Sequence, residues 1–172
     1  MRVGTAIEVG APPAAVWEFI TDPARYLHFM SGVTRWEVAD DGAAGLGARY
    51  RMLMRVGSAE VGGLIEVVEW DEECDLAWTS VTGIDQRGRW RLRALDGGRT
   101  RVELRLAYGV AGSGILGWLA EHVGAPTVRG HLRRSLQQLK RQVEHEQLRR
   151  QAAARRAVSG ARASPGGTSN GT

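Results

Sequence analysis

The chain has one cysteine, Cys74, in 172 residues. A single thiol cannot close an internal disulfide or build a multi-cysteine metal site, and it suits a reducing compartment. No apolar run approaches the roughly 20 residues that span a bilayer. The opening residues 1–9 alternate and lack the apolar core of a signal peptide. Lysine is almost missing, since every cation except Lys140 is arginine. His28, His122, His131 and His145 show no metal-ligand spacing, and Glu121-His122 belongs to no H-E-x-x-H. Gly45-Leu46-Gly47 precedes a strand and no lysine follows it, which excludes a phosphate loop. Cys74 follows the acidic turn Asp71-Glu72-Glu73, poor surroundings for a thiolate nucleophile, and no catalytic triad is visible. The expectation is a soluble cytoplasmic protein with no metal and no cofactor.

Charge is unevenly placed. Residues 1–128 carry a net −4 and residues 129–172 a net +8. The basicity therefore belongs to the C-terminal section, which argues against a nucleic-acid-binding fold and for a solvated helix or contact with an anionic surface. The length suits one domain with a self-sufficient core. That domain is expected over residues 1–150, and the Ala/Arg and then Gly/Ser-rich residues 151–172 read as a disordered basic tail.

The longest periodic stretch runs from Thr127 to Leu148. Val128, Leu132, Leu136, Leu139 and Val143 make one apolar helical face, with Ser135 inside the stripe and His131 at its edge. Such a helix is roughly 30 Å long and needs a broad surface to lie on. Upstream, residues 2–9 alternate as a strand. Ala14–Ile20 and Ala24–Met30 read as two short helices, the second introduced by Asp22 as cap and Pro23 at its first position. From Val33 to Val110 the pattern is strand after strand, one face an Arg/Glu mosaic and the other apolar and aromatic. Gly62-Gly63 suggests a bulge or sharp bend, and Asp96-Gly97-Gly98 a hairpin. Ile115–Val123 reads as an amphipathic turn or short helix, and Pro126 starts or kinks the long helix.

Four passages, Ile7–Trp17, Ile20–Tyr26, Gly45–Tyr50 and Leu132–Lys140, give the chain a resemblance to the START-like (SRPBCC) superfamily, specifically its polyketide cyclase/dehydrase and lipid-transport family. With the strand spacing, the resemblance covers about residues 2–148. It implies an α+β helix-grip fold, in which a curved antiparallel sheet of about seven strands wraps a long C-terminal helix, with two short helices after strand 1. It also implies a cavity for a hydrophobic ligand between sheet and helix. Strand and helix parity place Tyr50, Met52, Met54, Ile65, Trp78, Ser80, Trp90, Leu104, Tyr108, Leu132 and Leu136 on the cavity wall. Trp118 and Leu119 then fall near its mouth, as a gate or as a transient contact with a membrane surface.

Three functions fit this resemblance. The first is binding or transport of a hydrophobic small molecule, a lipid, isoprenoid or polyketide, oriented by one or two hydroxyls. The second is a polyketide cyclase/dehydrase. Strand parity disfavours it, because Arg87, Arg89, Arg91 and Arg93 point away from the face of Trp90 and leave no acid/base pair inside. The third is a protein-interaction module acting through Arg133, Arg134, Lys140 and Arg141 of the basic helix. No catalytic residue stands out, and neither ligand identity nor oligomeric state is legible.

Overall fold

The computed structural model describes residues 2–39, 44–56, 58–108 and 125–162. β1 (Arg2–Val9) leads into α1 (Pro13–Thr21) and α2 (Pro23–Phe29). The strands β2 (Val33–Val38), β3 (Arg49–Val56), β4 (Ala59–Asp71), β5 (Asp75–Ser80), β6 (Gln86–Leu95) and β7 (Arg99–Tyr108) follow, and α3 (Ala125–Arg162) ends the described chain. The strands form one antiparallel sheet in the order β1-β7-β6-β5-β4-β3-β2. This is the expected α+β helix-grip arrangement of seven strands, two short helices and a long C-terminal helix.

Local chemistry sets the element ends. Pro13 opens α1 and Pro23 opens α2, where a missing N–H costs nothing. The Asp22 carboxylate caps α2 by accepting from the Ala24 N–H at 2.9 Å. The β6–β7 hairpin turns on Gly97 (φ +75°) and Gly98 (φ +69°), a left-handed pair that glycine adopts without a steric penalty.

The sheet has the wet and dry faces that alternation predicts. Outside, Arg49 meets Glu66 at 2.7 Å, Arg89 meets Glu69, and Asp75 holds Arg91 and Arg93 at 2.9 and 2.8 Å. Burial works against the Asp75 charge, but hydrogen bonds and attraction from Arg93 and Arg91 outweigh it and hold this carboxyl below the usual range. Inside, Val3, Val9, Val102 and Leu104 face a core that includes Val128, Leu132, Leu136, Leu139 and Val143 of α3. Burying each such side chain is worth about 1.5–3 kcal/mol. Ser135 is buried with its hydroxyl satisfied: it accepts from the Ser31 N–H and donates to the His131 carbonyl, both at 2.9 Å.

α3 lies mainly on β1 and is tied along its polar flank. Lys140 Nζ donates to the Glu8 carbonyl and the Gly10 N–H to Glu144 Oε1, both at 2.7 Å. Arg150 grips both carboxylate oxygens of Glu18 on α1, at 3.2 and 2.7 Å. No helix among the described residues is long and apolar enough to cross a membrane.

Two sequence expectations change. α3 does not stop at Arg150 but continues to Arg162, because Gln151-Ala152-Ala153-Ala154-Arg155-Arg156-Ala157 are strong helix formers. Residues 151–159 are all exposed, so this extension packs on nothing described. The bulge is also elsewhere. The β3–β4 register runs unbroken through Gly62 and Gly63, and the shift falls between Val67 and Glu69 of the β4–β5 pair. The two glycines instead admit neighbouring backbone, since a Cβ on Gly63 would sit 2.1 Å from the Thr82 carbonyl oxygen. The segment Ile115–Val123, with Trp118 and Leu119, and the terminal residues 163–172 lie outside the described residues.

Candidate functional site

The interior site is built where α1 and α2 cover the middle of the inner sheet face. Tyr26 of α2 stacks on Trp36 of β2 with ring centroids 3.8 Å apart, and Trp36 stacks on Tyr50 of β3 at 5.0 Å. Trp17 of α1 meets Trp70 of β4 edge-on at 5.0 Å. Tyr26, Trp36, Tyr50, Trp70, Trp78 and Ile65 line a cavity of about 20 Å³, room for one water molecule. A much larger open concavity of about 920 Å³ includes Arg2, Glu69, Thr79, Arg87, Arg89 and Arg105 of the solvated outer face in its lining. Its size reflects open surface and not an enclosed ligand space.

The interior polar groups are few and neutral. Tyr26 is 3% exposed, its hydroxyl accepts from Trp90 Nε1 at 3.3 Å, and burial raises its phenol far above the ordinary range. Burial also raises Tyr50 and Tyr108. All three stay protonated at neutral pH, so they are hydrogen-bonding groups and not bases. The indole N–H of Trp78 is buried without a partner among the described residues. Gln86 is buried, with Nε2 3.8 Å from the Met52 sulfur and its backbone N–H donating to Ser80 Oγ at 3.1 Å. Of the buried polar residues among those described, only Asp75 is ionisable at neutral pH, and it faces the outer arginines.

The structure distributes the wall residues read from sequence between two settings. Tyr50, Ile65 and Trp78 line the cavity. Met52, Met54, Ser80 and Tyr108 lie toward one end of the same face, the last three half-buried. Trp90, Leu104, Leu132 and Leu136 are packed core at 3% exposure or less. Trp118 and Leu119 lie outside the described residues, so no gate is described. Arg87, Arg89, Arg91 and Arg93 keep the outward parity expected of them; three of them reach the carboxylates of Glu69 and Asp75.

Sequence reading missed Tyr26, Trp36, Trp70 and Gln86. Register shifts at Val33/Arg35 and at Val67/Glu69 turn Trp36 and Trp70 inward, against a simple count along either strand. Gln86 was legible, because it shares parity with Gly88 and Trp90.

His131 makes a separate cluster at the α2–β2 turn. Its Nδ1 lies 3.1 Å from Ser31 Oγ, which also accepts from Arg134 Nε at 3.3 Å. Burial and the Arg134 charge lower its pKa, while a hydrogen bond to the Ser31 backbone opposes them. Among the described residues no group of His, Cys, Asp and Glu is arranged to hold a metal ion.

A curved antiparallel sheet gripping one long helix, with an uncharged aromatic interior, defines a START-like helix-grip protein. The chain belongs to the polyketide cyclase/dehydrase and lipid transport family, whose sequence profile matches residues 1–144. Solved structures share the fold. The protein TTHA0849 of Thermus thermophilus is 25% identical with a TM-score of 0.70, the match covering 83% of this chain and 97% of that one. The Zhui aromatase/cyclase of Streptomyces sp. R1128 is 19% identical with a TM-score of 0.70, covering 84% and 93%. A START superfamily protein of Mycobacterium smegmatis is 17% identical with a TM-score of 0.61, covering 86% and 98%. No curated protein matches the chain in sequence.

Proposed function

We propose that this protein binds or carries a hydrophobic small molecule, a lipid, isoprenoid or polyketide, in the cytoplasm, with the aromatic cavity as the deep end of the ligand space. The observation that carries this reading is the inner face itself, apolar and aromatic, edged by neutral hydrogen-bonding groups and free of ion pairs among the described residues. Binding is then driven by desolvation of the ligand, and Tyr50, Ser80 and Tyr108 orient it. Met52 and Met54 are unbranched and adapt to its shape at little cost. The family also includes cyclases and dehydrases. Proton transfer of that kind needs a group that titrates near neutrality, and the buried phenols of this face are shifted the other way.

The experiment is native mass spectrometry of the purified chain, with extraction and identification of what co-purifies. A stoichiometric hydrophobic ligand that is lost in Tyr50→Ala supports the reading. An empty protein that takes up no fatty acid, quinone or polyketide mimic overturns it. A second reading, an interaction surface on the basic end of α3, rests on the exposed residues 151–159, whose arginines have the charge to meet anionic lipid headgroups.

A further inference from the structure

The inner face holds one buried donor without a partner among the described residues, Trp78 Nε1, and a second, Gln86 Nε2, whose partner is a weak acceptor. Trp78 is 4% exposed. Gln86 is 7% exposed, and its amide nitrogen reaches a thioether, a weak acceptor. Native interiors rarely leave a buried donor unpaired.

The two side chains share one patch. Trp78 of β5 pairs across the sheet with Gly88 of β6. Gln86 lies two residues before Gly88 and Ser80 two residues after Trp78, so all four belong to the same face. The indole lies over Gly88, where a Cβ would come within 1.9 Å of Trp78 Cζ2. The glycine is what lets the ring lie down beside the Gln86 strand. The patch thus offers an indole donor, an amide with a donor and an acceptor, and a hydroxyl. Among the described residues it offers no cation, since the arginines of β6 lie on the outer face, where Arg89, Arg91 and Arg93 serve carboxylates.

We propose that Trp78 and Gln86, supported by Ser80, are the polar anchor of the ligand site, and that they select a neutral ligand bearing a carbonyl with a donor or acceptor beside it, against a carboxylate of the same chain length. The inference rests on the ligand-binding reading above and refines it. The Trp78 N–H donates to the carbonyl oxygen. The Gln86 amide, able to give and accept, pairs with the neighbouring hydroxyl, enol or amide group. An ionised carboxylate in the same place has no counter-charge, and burying it unpaired is strongly disfavoured. Free fatty acids are therefore poor ligands, and uncharged ketones, hydroxyketones and amides are good ones.

The test uses the full chain, freed of co-purified ligand, and three probes of equal length: dodecane, dodecanoate and dodecanamide. Binding is read at pH 8 together with ¹H–¹⁵N spectra of the indole N–H groups, with Trp78→Phe identifying the Trp78 signal. The proposal expects the amide to bind at least about tenfold more tightly than the carboxylate and to shift the Trp78 indole signal downfield. Gln86→Leu, isosteric enough to fold and checked by circular dichroism, is expected to weaken amide binding toward that of dodecane while dodecane binding is retained. Equal affinity for amide and carboxylate, or a Trp78 signal that ignores a bound amide because the N–H is held by a permanent internal water, overturns the anchor and leaves the ligand-binding reading standing. Failure of all three probes, dodecane included, overturns the ligand-binding reading and the anchor with it.

Discussion

The indole N–H of Trp90 donates to the Tyr26 hydroxyl at 3.3 Å, joining the centre of the sheet to α2 through two buried side chains. Trp90 is fully buried, so the bond has no water to replace it. Tyr26→Phe keeps the ring stack on Trp36 and strands the indole donor. The expected cost is about 1–3 kcal/mol, the usual penalty for a buried group left unpaired. Urea unfolding with an unchanged m-value reads it. A variant as stable as the parent shows that the bond contributes nothing net.

Gly88 makes the second prediction. Its missing Cβ is the space the Trp78 ring occupies. Gly88→Ala forces the indole off the sheet, at about 1–3 kcal/mol for overpacking. Trp78 emission should move to the red as the ring meets water. Normal stability with unchanged emission means the ring has room that the geometry does not show.

How much of this was legible in the sequence depended on periodicity. Strands with unbroken alternation, such as β6 and β7, displayed both faces and so the inward parity of Trp90, Leu104 and Tyr108. The aromatic cavity was hidden because two of its walls lie past register shifts. One extra residue near Val68 carries Trp70 to the same side as Val67. A further one between Val33 and Arg35 does the same for Trp36. Local sequence carries no clear mark of either, since neither site has a glycine, whereas the conspicuous Gly62-Gly63 pair serves close backbone approach instead. The α3 extension failed for another reason. A run with nothing to bury was read as disorder, yet alanine and arginine favour helix without a partner.

His131 gives a pH dependence whose sign follows from its surroundings. Its folded pKa is lowered, chiefly by burial and then by Arg134, so the unfolded chain takes up the proton first. Its contribution to stability is therefore complete above the unfolded value of about 6.5 and is lost as pH falls through the lower folded value. Nδ1 of the ring faces the Ser31 hydroxyl, which also accepts from Arg134. Unfolding free energy measured from pH 7.5 to 5 should fall in the parent and flatten in His131→Gln. The same slope in both chains assigns the effect to another group.

Arginines one residue apart on α3 should behave differently. Arg150 holds both carboxylate oxygens of Glu18, whereas Arg149, Arg155 and Arg156 are exposed and their side chains meet no carboxylate among the described residues. Arg150→Gln should lower the thermal midpoint slightly, because it unties α3 from α1. Replacing Arg149, Arg155 and Arg156 together with Gln should leave the midpoint and ligand uptake unchanged. If the extension is an interaction surface, that triple variant loses sedimentation with anionic phosphatidylglycerol vesicles, and so does the parent chain when salt shortens the screening length. Lys140 and Arg134 are poor substitutes in such a test, because the Glu8 carbonyl and Ser31 already hold them and their loss loosens the domain. Vesicle binding by the triple variant equal to that of the parent removes the extension from the mechanism and leaves the interior as the part of this protein that meets a ligand.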